Sequence, residues 1–265
     1  MSDSTLKVQD LKVYFPHGDA HGPVKAVDGV SFDVQKGETF GIVGESGSGK
    51  TLTALSILKL IVPPGEIVSG RVIFNGEDLF RLENEKLRKI RGSKISMVFQ
   101  EPASAFNPVF TIGYQIVEAI TAHQGIGVSK ARDIAMEFLK RVHITDPAKV
   151  YHDYPHQLSG GTKQRAMIAM ALVNSPEFLI LDEPTTALDV TIQAQILDLL
   201  DEIRSREKLS TLFISHDFGV IARMCNRVAV MHKGVIVETG DKAQILNNPK
   251  EEYTRSLLES VKALA

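Results

Sequence analysis

A single cysteine, Cys225, excludes an internal disulfide and any iron–sulfur or multi-cysteine metal site built from this chain alone. Its setting, "IARMCNRVAVM", reads as that of a buried small hydrophobe. An excess of charge is missing as well. With 30 Lys and Arg against 32 Asp and Glu the net charge is −2, so bulk electrostatics favour neither nucleic acid nor an acidic lipid surface. No apolar run reaches the roughly 18 residues that span a bilayer, and "MSDSTLKVQD" lacks the apolar core of a signal peptide. The expectation is a cytoplasmic chain that reaches a membrane only through a partner. Internal repeats and low-complexity linkers are absent too. What remains, 43% apolar and 23% charged over 265 residues, is ordinary globular composition with enough chain for a sizeable core.

Leu6, Val8, Leu11, Val13 and Phe15 mark one or two early strands, and Val30, Phe32 and Val34 another, with a turn over Gly18 to Pro23 between them. "TFGIV" (39–43) is a short buried run, followed by a glycine-rich loop and then "KTLTALSILKL", helical until Pro63 and Pro64 stop it. "RVIFNGEDL" returns as strand and turn, and "ISMVFQ" (95–100) is a further strand. Ile112 to Ala122 and Ser129 to Val142 read as amphipathic helices, the second with Ser129 as N-cap, and "KQRAMIAMALV" as a third that is apolar on nearly every face. Strands resume with "FLIL", "TLFIS", "RVAVM" and "VIVE", with "VTIQAQILDLLDEIRSRE" a long helix between the first two. The layout predicts one α/β domain over 1–265: a mostly parallel sheet flanked by helices, an antiparallel N-terminal part, a helical subdomain inserted at about 103–175 and a helical extension from about 241.

"GESGSGKT" (44–51) fits the phosphate-loop pattern G-x-x-x-x-G-K-[ST], and it stands between a strand and a helix as that pattern requires. This identifies the core as a P-loop nucleotide-binding fold. Gly44, Gly47 and Gly49 let the backbone turn its N–H groups inward, and Ser46 and Ser48 lie among them. The following helix points its positive end at the same place. Lys50 is suited to the β- and γ-phosphates of ATP and the Thr51 hydroxyl to Mg²⁺.

Three more strands run into polar residues. "FLILDEP" ends in Asp182 and Glu183; in a buried parallel strand such charges are tolerated at the end, where a sheet opens onto a ligand crevice. Asp182 is a candidate magnesium ligand, and Glu183 the candidate general base for an attacking water, on the expectation that successive strand residues point to opposite sides. "ISMVF" delivers Gln100, a candidate to touch the metal, and "TLFIS" delivers His216, a candidate to contact the γ-phosphate. These ends are expected to converge with Gly44 on one edge of the sheet. A solvated strand end and a structural histidine are the bland alternatives.

Ser159, Gly160 and Gly161 precede a helix. They read either as a plain N-cap or as a second anion site, one that serves a nucleotide held by another subunit. Together, "GESGSGKT", "VFQEP", "LSGGTKQR", "LILDEP", "TTALD" and "ISHD" resemble the ATP-binding cassette (ABC) family, in that family's order and over nearly the whole chain. The resemblance implies two cassettes stacked head to tail, with ATP between the phosphate loop of one and the Ser159 turn of the other. It makes Asp189 a coupling residue and Phe15 the aromatic that stacks on adenine, with Tyr14 as second choice. Thr162 departs from the family, where glutamine or methionine is common.

"QEPASAFNP", "IGYQIVEAI", "YPHQLSGG" and the tail "NNPKEEYTRSLLES" are similar to the ATPase subunits of peptide and nickel importers. That implies transmembrane permease subunits, which would dock near residues 101–120, a second cassette subunit, and an extracytoplasmic solute-binding protein acting indirectly. The competing class is a soluble cassette ATPase acting on DNA or ribosomes. It is disfavoured by the lack of a coiled-coil insertion, of a fused second cassette and of a basic face.

Overall fold

The structure is a computed structural model that describes residues 4–16, 22–186 and 188–263. The expected turn at Gly18 lies outside them. Among the described residues there are ten strands: β1 (Ser4–Phe15), β2 (Val24–Gln35), β3 (Thr39–Val43), β4 (Glu66–Phe74), β5 (Glu77–Asp78), β6 (Ile95–Val98), β7 (Phe178–Asp182), β8 (Ser210–Ser215), β9 (Arg227–His232) and β10 (Val235–Asp241). Contacts divide the chain into two compact units, Met1–Leu87 with Ser210–Ala265, and Arg88–Leu209.

In the first unit, β1 pairs antiparallel with β2 on one side and β4 on the other. Leu6, Val8, Leu11 and Val13 are all buried, yet the step from Val8 to Leu11 breaks a period of two. The register shifts between those two residues, and Asp10 adopts φ 44. The irregularity absorbs one residue and returns the apolar set to the same face, so a single strand forms rather than two. β3 is buried at every position and lies parallel to both β8 and β9. A strand covered on both faces needs such continuous apolar residues. The Phe32 and Phe40 rings stack at 5.2 Å.

The helix after β3 spans Lys50–Ile57, shorter than the proline stop implies. Its end is closed by Leu58 N–H and Leu60 N–H on the Leu55 carbonyl, at 3.2 and 2.9 Å, with Lys59 at φ 49. Cys225 is buried, and its Sγ lies 2.8 Å from where a Cβ on Gly41 would stand.

In the second unit β6 and β7 run parallel from Ile95↔Phe178 to Val98↔Leu181. β6 ends at Val98, so Phe99 and Gln100 leave the ladder that the sequence pattern extends to Gln100. Thr111 caps the helix Ile112–Gln124 through the Tyr114 N–H, at 3.2 Å. The next helix, Val128–Arg141, starts one residue before Ser129, with Gly127 at the N-cap; Ser129 is a helical residue and not the cap. Asp189 caps Val190–Glu207 through the Ile192 N–H, at 2.9 Å, and the helix ends where Lys208 turns to φ 51. No helix among the described residues is long and apolar enough to cross a membrane.

The final helix, Glu252–Ala263, belongs to the first unit and is held from below by Glu238 of β10. That buried carboxylate accepts from Lys250 N–H at 2.8 Å, Glu251 N–H at 3.2 Å and the Gln244 amide at 3.0 Å. Burial pushes the Glu238 carboxyl up, but these hydrogen bonds outweigh it and hold it below its ordinary 4.5. A carboxylate depressed on folding contributes stability that is present above the ordinary value and lost as pH falls through the folded one. Protease sensitivity around Lys250 is therefore expected to rise below about pH 4.5. In Glu238→Gln it is expected to be raised at neutral pH already, by about 1–3 kcal/mol of lost docking. Flat cleavage kinetics across that pH range in the parent would contradict this role.

Candidate functional site

The register of the parallel strands puts several loops at one edge of the first unit. Val43 pairs with Ser215 of β8 and with Val230 of β9, so Gly44, His216 and the last residues of β9 emerge together. Backbone approaches explain two of the glycines. A Cβ on Gly44 would stand 2.1 Å from the Met231 carbonyl oxygen. At Gly49, φ is 104 and a Cβ would meet the Ala26 carbonyl oxygen at 2.4 Å. The loop is tied by Ser48 N–H to the Glu45 carbonyl at 3.2 Å and by Gly234 N–H to the Ser48 carbonyl at 2.9 Å.

Ser46 is exposed, while the Ser48 hydroxyl is buried and has no hydrogen-bond partner among the described residues. Gly49 is the N-cap of the helix that begins at Lys50, and it offers no side chain to the first-turn N–H groups. Such an end carries partial positive charge suited to an anion. Lys50, only 4% exposed, donates to the carbonyls of Gly44 and Glu45, both at 2.8 Å. Its ammonium is thereby held on the loop itself. Thr51, next in the helix, is half-buried.

His216 is exposed, one residue past β8. Its neighbour Asp217 caps the helix Phe218–Met224 through the Gly219 and Val220 N–H groups, at 2.7 and 3.3 Å. Phe15 is half-buried, its ring packed against Gly65: a Cβ there would lie 2.6 Å from Phe15 Cε1 and Cζ. Tyr14 is engaged elsewhere. Its hydroxyl donates to Asp28 at 2.7 Å, and Lys25 Nζ sits 5.6 Å from its ring centroid. Tyr14 and then Lys25 hold the Asp28 carboxyl below its ordinary range, mainly by hydrogen bonding.

In the second unit, Asp182 is the last residue of β7 and is 1% exposed. Glu183 does not continue the strand. It turns to φ 47, a left-handed conformation that costs a side-chain-bearing residue about 1–2 kcal/mol. Strand alternation therefore does not set the direction of the Glu183 carboxylate, because the chain leaves the ladder at Asp182. Glu183 Oε2 accepts from Gln100 Nε2 at 3.1 Å and from Thr186 Oγ1 at 2.9 Å. The contact to Gln100 joins residues 83 apart in the chain. Thr186 was not visible as a partner of Glu183; a threonine three residues on is a signal only once the turn is known.

Ser159 caps the helix Gly160–Leu172, accepting from Thr162 N–H at 3.2 Å. Its hydroxyl also shares a 2.9 Å hydrogen bond with the Thr162 hydroxyl, a partner that glutamine or methionine would not supply in this form. Ser159 and Gly160 are exposed, and a Cβ on Gly161 would stand 2.8 Å from Ile192 Cγ2, so the turn lies close against the helix that Asp189 caps. Asp189 is itself exposed. Among the described residues no group of three or more His, Cys, Asp or Glu could hold a metal ion. The buried Asp182 carboxylate and the half-buried Thr51 hydroxyl are each oxygen donors of the kind magnesium takes.

Comparison with known proteins agrees on one family. The ABC transporter family model matches residues 27–186. The dipeptide transport ATP-binding protein DppD of Escherichia coli K12 is 46% identical over 260 residues, 98% of this chain and 79% of that protein. The oligopeptide transport ATP-binding protein OppD of Bacillus subtilis is 46% identical over 261 residues, 98% of this chain and 72% of that protein. Among solved structures, the dimeric ATP-binding cassette MJ0796 in a post-hydrolysis state bound to ADP and Pi has a TM-score of 0.79 at 27% identity, covering 89% of this chain and 98% of its own. The cassette cbiO1 from Clostridium perfringens, part of the transporter complex cbiONQ, has a TM-score of 0.76 at 25% identity and covers 99% of this chain and 98% of its own.

Proposed function

The chain belongs to the ABC transporter family and is one of its ATP-hydrolysing cassettes, and from that premise we propose that it powers peptide uptake through separate permease subunits, paired head to tail with a second cassette. The observation that carries the pairing is the Ser159 turn. It is an exposed serine followed by two glycines at the start of a 13-residue helix, an end with anion-binding character. A second copy or a homologous cassette brings its nucleotide to this turn. The cargo class rests on relatives named as dipeptide and oligopeptide transport proteins.

In this reading Gly44, Ser46, Gly47, Ser48 and Gly49 wrap the phosphates, Lys50 moves from the loop carbonyls to the β- and γ-phosphates, and Phe15 stacks on adenine. Thr51, Asp182 and Gln100 are the residues that would offer oxygens to Mg²⁺, which would neutralise phosphate charge. Glu183 takes a proton from the attacking water, aligned by its bonds to Gln100 and Thr186. His216 orients the γ-phosphate, and Asp189 links the two sites of the pair.

An apolar cluster lies just past Gln100. Val109 is 68% exposed, and the rings of Phe110 and Tyr114 stack at 4.7 Å on the surface. This is the surface proposed for a cytoplasmic helix of the permease, and with it goes a position at the inner face of the membrane. A solute-binding protein would deliver cargo on the other side.

Purification of the tagged chain from detergent-solubilised membranes is expected to bring down two membrane-spanning subunits. In vesicles, that complex is expected to take up labelled dipeptide only with ATP. Recovery of nucleic acid or ribosomes instead, or uptake of Ni²⁺ but no peptide, would sink the assignment.

A further inference from the structure

The exposed apolar cluster past Gln100 stands on a turn whose backbone is held from behind. Phe106 is buried at one end of that turn, and Thr111 caps the helix Ile112–Gln124 at the other. Between them the Phe110 N–H closes on the Asn107 carbonyl at 3.3 Å, and the Val109 N–H on Asn107 Oδ1 at 3.2 Å. Gln115, the fourth residue of the helix, reaches back to the same segment and is buried. Its Oε1 accepts from the Asn107 N–H at 2.8 Å, and its Nε2 donates to the Asn107 and Phe110 carbonyls, both at 3.0 Å. A helical side chain leans toward its own N-terminus, which carries this amide over the preceding turn. Only an amide supplies the acceptor and the donors together at that reach. The neighbouring residue, Tyr114, points the other way: it is exposed, and its ring lies on that of Phe110.

We propose that Gln115 is a positioning residue for partner docking: its buried amide fixes the Asn107–Phe110 turn so that Val109 and Phe110 stay displayed, beside Tyr114, for the cytoplasmic helix of the permease. Exposed apolar tips gain free energy by folding down onto their own surface. A turn bonded from behind through Asn107 and Phe110 cannot do so without breaking those bonds. Docking then has less chain to order, and preorganisation of this kind strengthens association without a new contact. The inference rests on the permease reading of this surface.

Gln115→Met keeps the side-chain length and the helix propensity and removes both ends of the amide. In the isolated full-length chain its Asn107 amide is expected to exchange with solvent about two- to tenfold faster than the parent's. Membrane vesicles that contain the permease, stripped of their own cassettes, are then titrated with the purified chain. Gln115→Met is expected to rebind about 5- to 30-fold more weakly, the effect of leaving roughly one more residue to be ordered on docking. Its ATP affinity in solution is expected to stay within about twofold of the parent's. Val109→Asp, which charges the exposed tip, is expected to abolish rebinding. Parent-like rebinding by Gln115→Met while Val109→Asp fails overturns the role of Gln115 alone, and so does an unchanged Asn107 exchange rate. Parent-like rebinding by Val109→Asp removes the permease from this surface and the proposal with it. A loss of ATP affinity in step with rebinding also overturns it, because the defect then belongs to the fold as a whole.

Discussion

Glu183→Gln is expected to bind ATP as the parent does and to hydrolyse it about 10²- to 10⁴-fold more slowly. That range corresponds to roughly 3–5 kcal/mol of barrier. The substitution suits the site because it preserves shape. Glutamine keeps an oxygen that can accept from Gln100 and Thr186, and it meets the same left-handed backbone at φ 47. What it removes is the capacity to take a proton. Single-turnover phosphate release checks this against a parallel ATP-binding titration. Hydrolysis within tenfold of the parent would show that the proton goes elsewhere, and weakened ATP binding would show that Glu183 holds the nucleotide rather than activating water.

Lys50→Ala is expected to act on the other parameter. The buried ammonium already has two carbonyl partners in the loop, so ATP binding exchanges those bonds for bonds to phosphate oxygens. The gain is the difference between a charge on a dipole and a charge on a charge. Bonds to charged groups are worth about 1.5–3 kcal/mol, so affinity is expected to fall by roughly 10- to 150-fold. The alanine variant also takes the lysine donor from the Gly44 and Glu45 carbonyls, the second of which keeps the Ser48 N–H. A lower thermal midpoint of the nucleotide-free protein is expected beside the lost affinity. Equilibrium titration with ATP and a melting curve without it separate the two effects. Parent-like ATP affinity would remove Lys50 from the phosphate site.

Much of the fold follows from patterns a few residues long. The continuous apolar runs of β3 and β7 are legible because a strand covered on both faces has no polar side to show. Val190–Glu207 is legible from its apolar period, and that Asp189 caps it is seen in the structure. The Ser129 reading fails for a related reason. A serine with helical periodicity after it resembles a cap, yet nothing local prevents the helix from starting at Val128. The break between Val8 and Leu11 was ambiguous because a bulge and a strand end produce the same spacing.

Sequence alone determined which chemistry this protein carries: a phosphate loop, an acidic strand end, a serine-glycine helix start and the family that combines them. Those are short, contiguous stretches whose residue types carry the signal by themselves. Tertiary structure decided which partners those groups have. Gln100 meets Glu183 across 83 residues, and the Met231 carbonyl closes on Gly44 from a strand far along the chain. No periodicity encodes such meetings. They arise when strands settle into register and distant loops emerge at one edge, and the hydrogen bonds formed there depend on positions that local sequence does not specify.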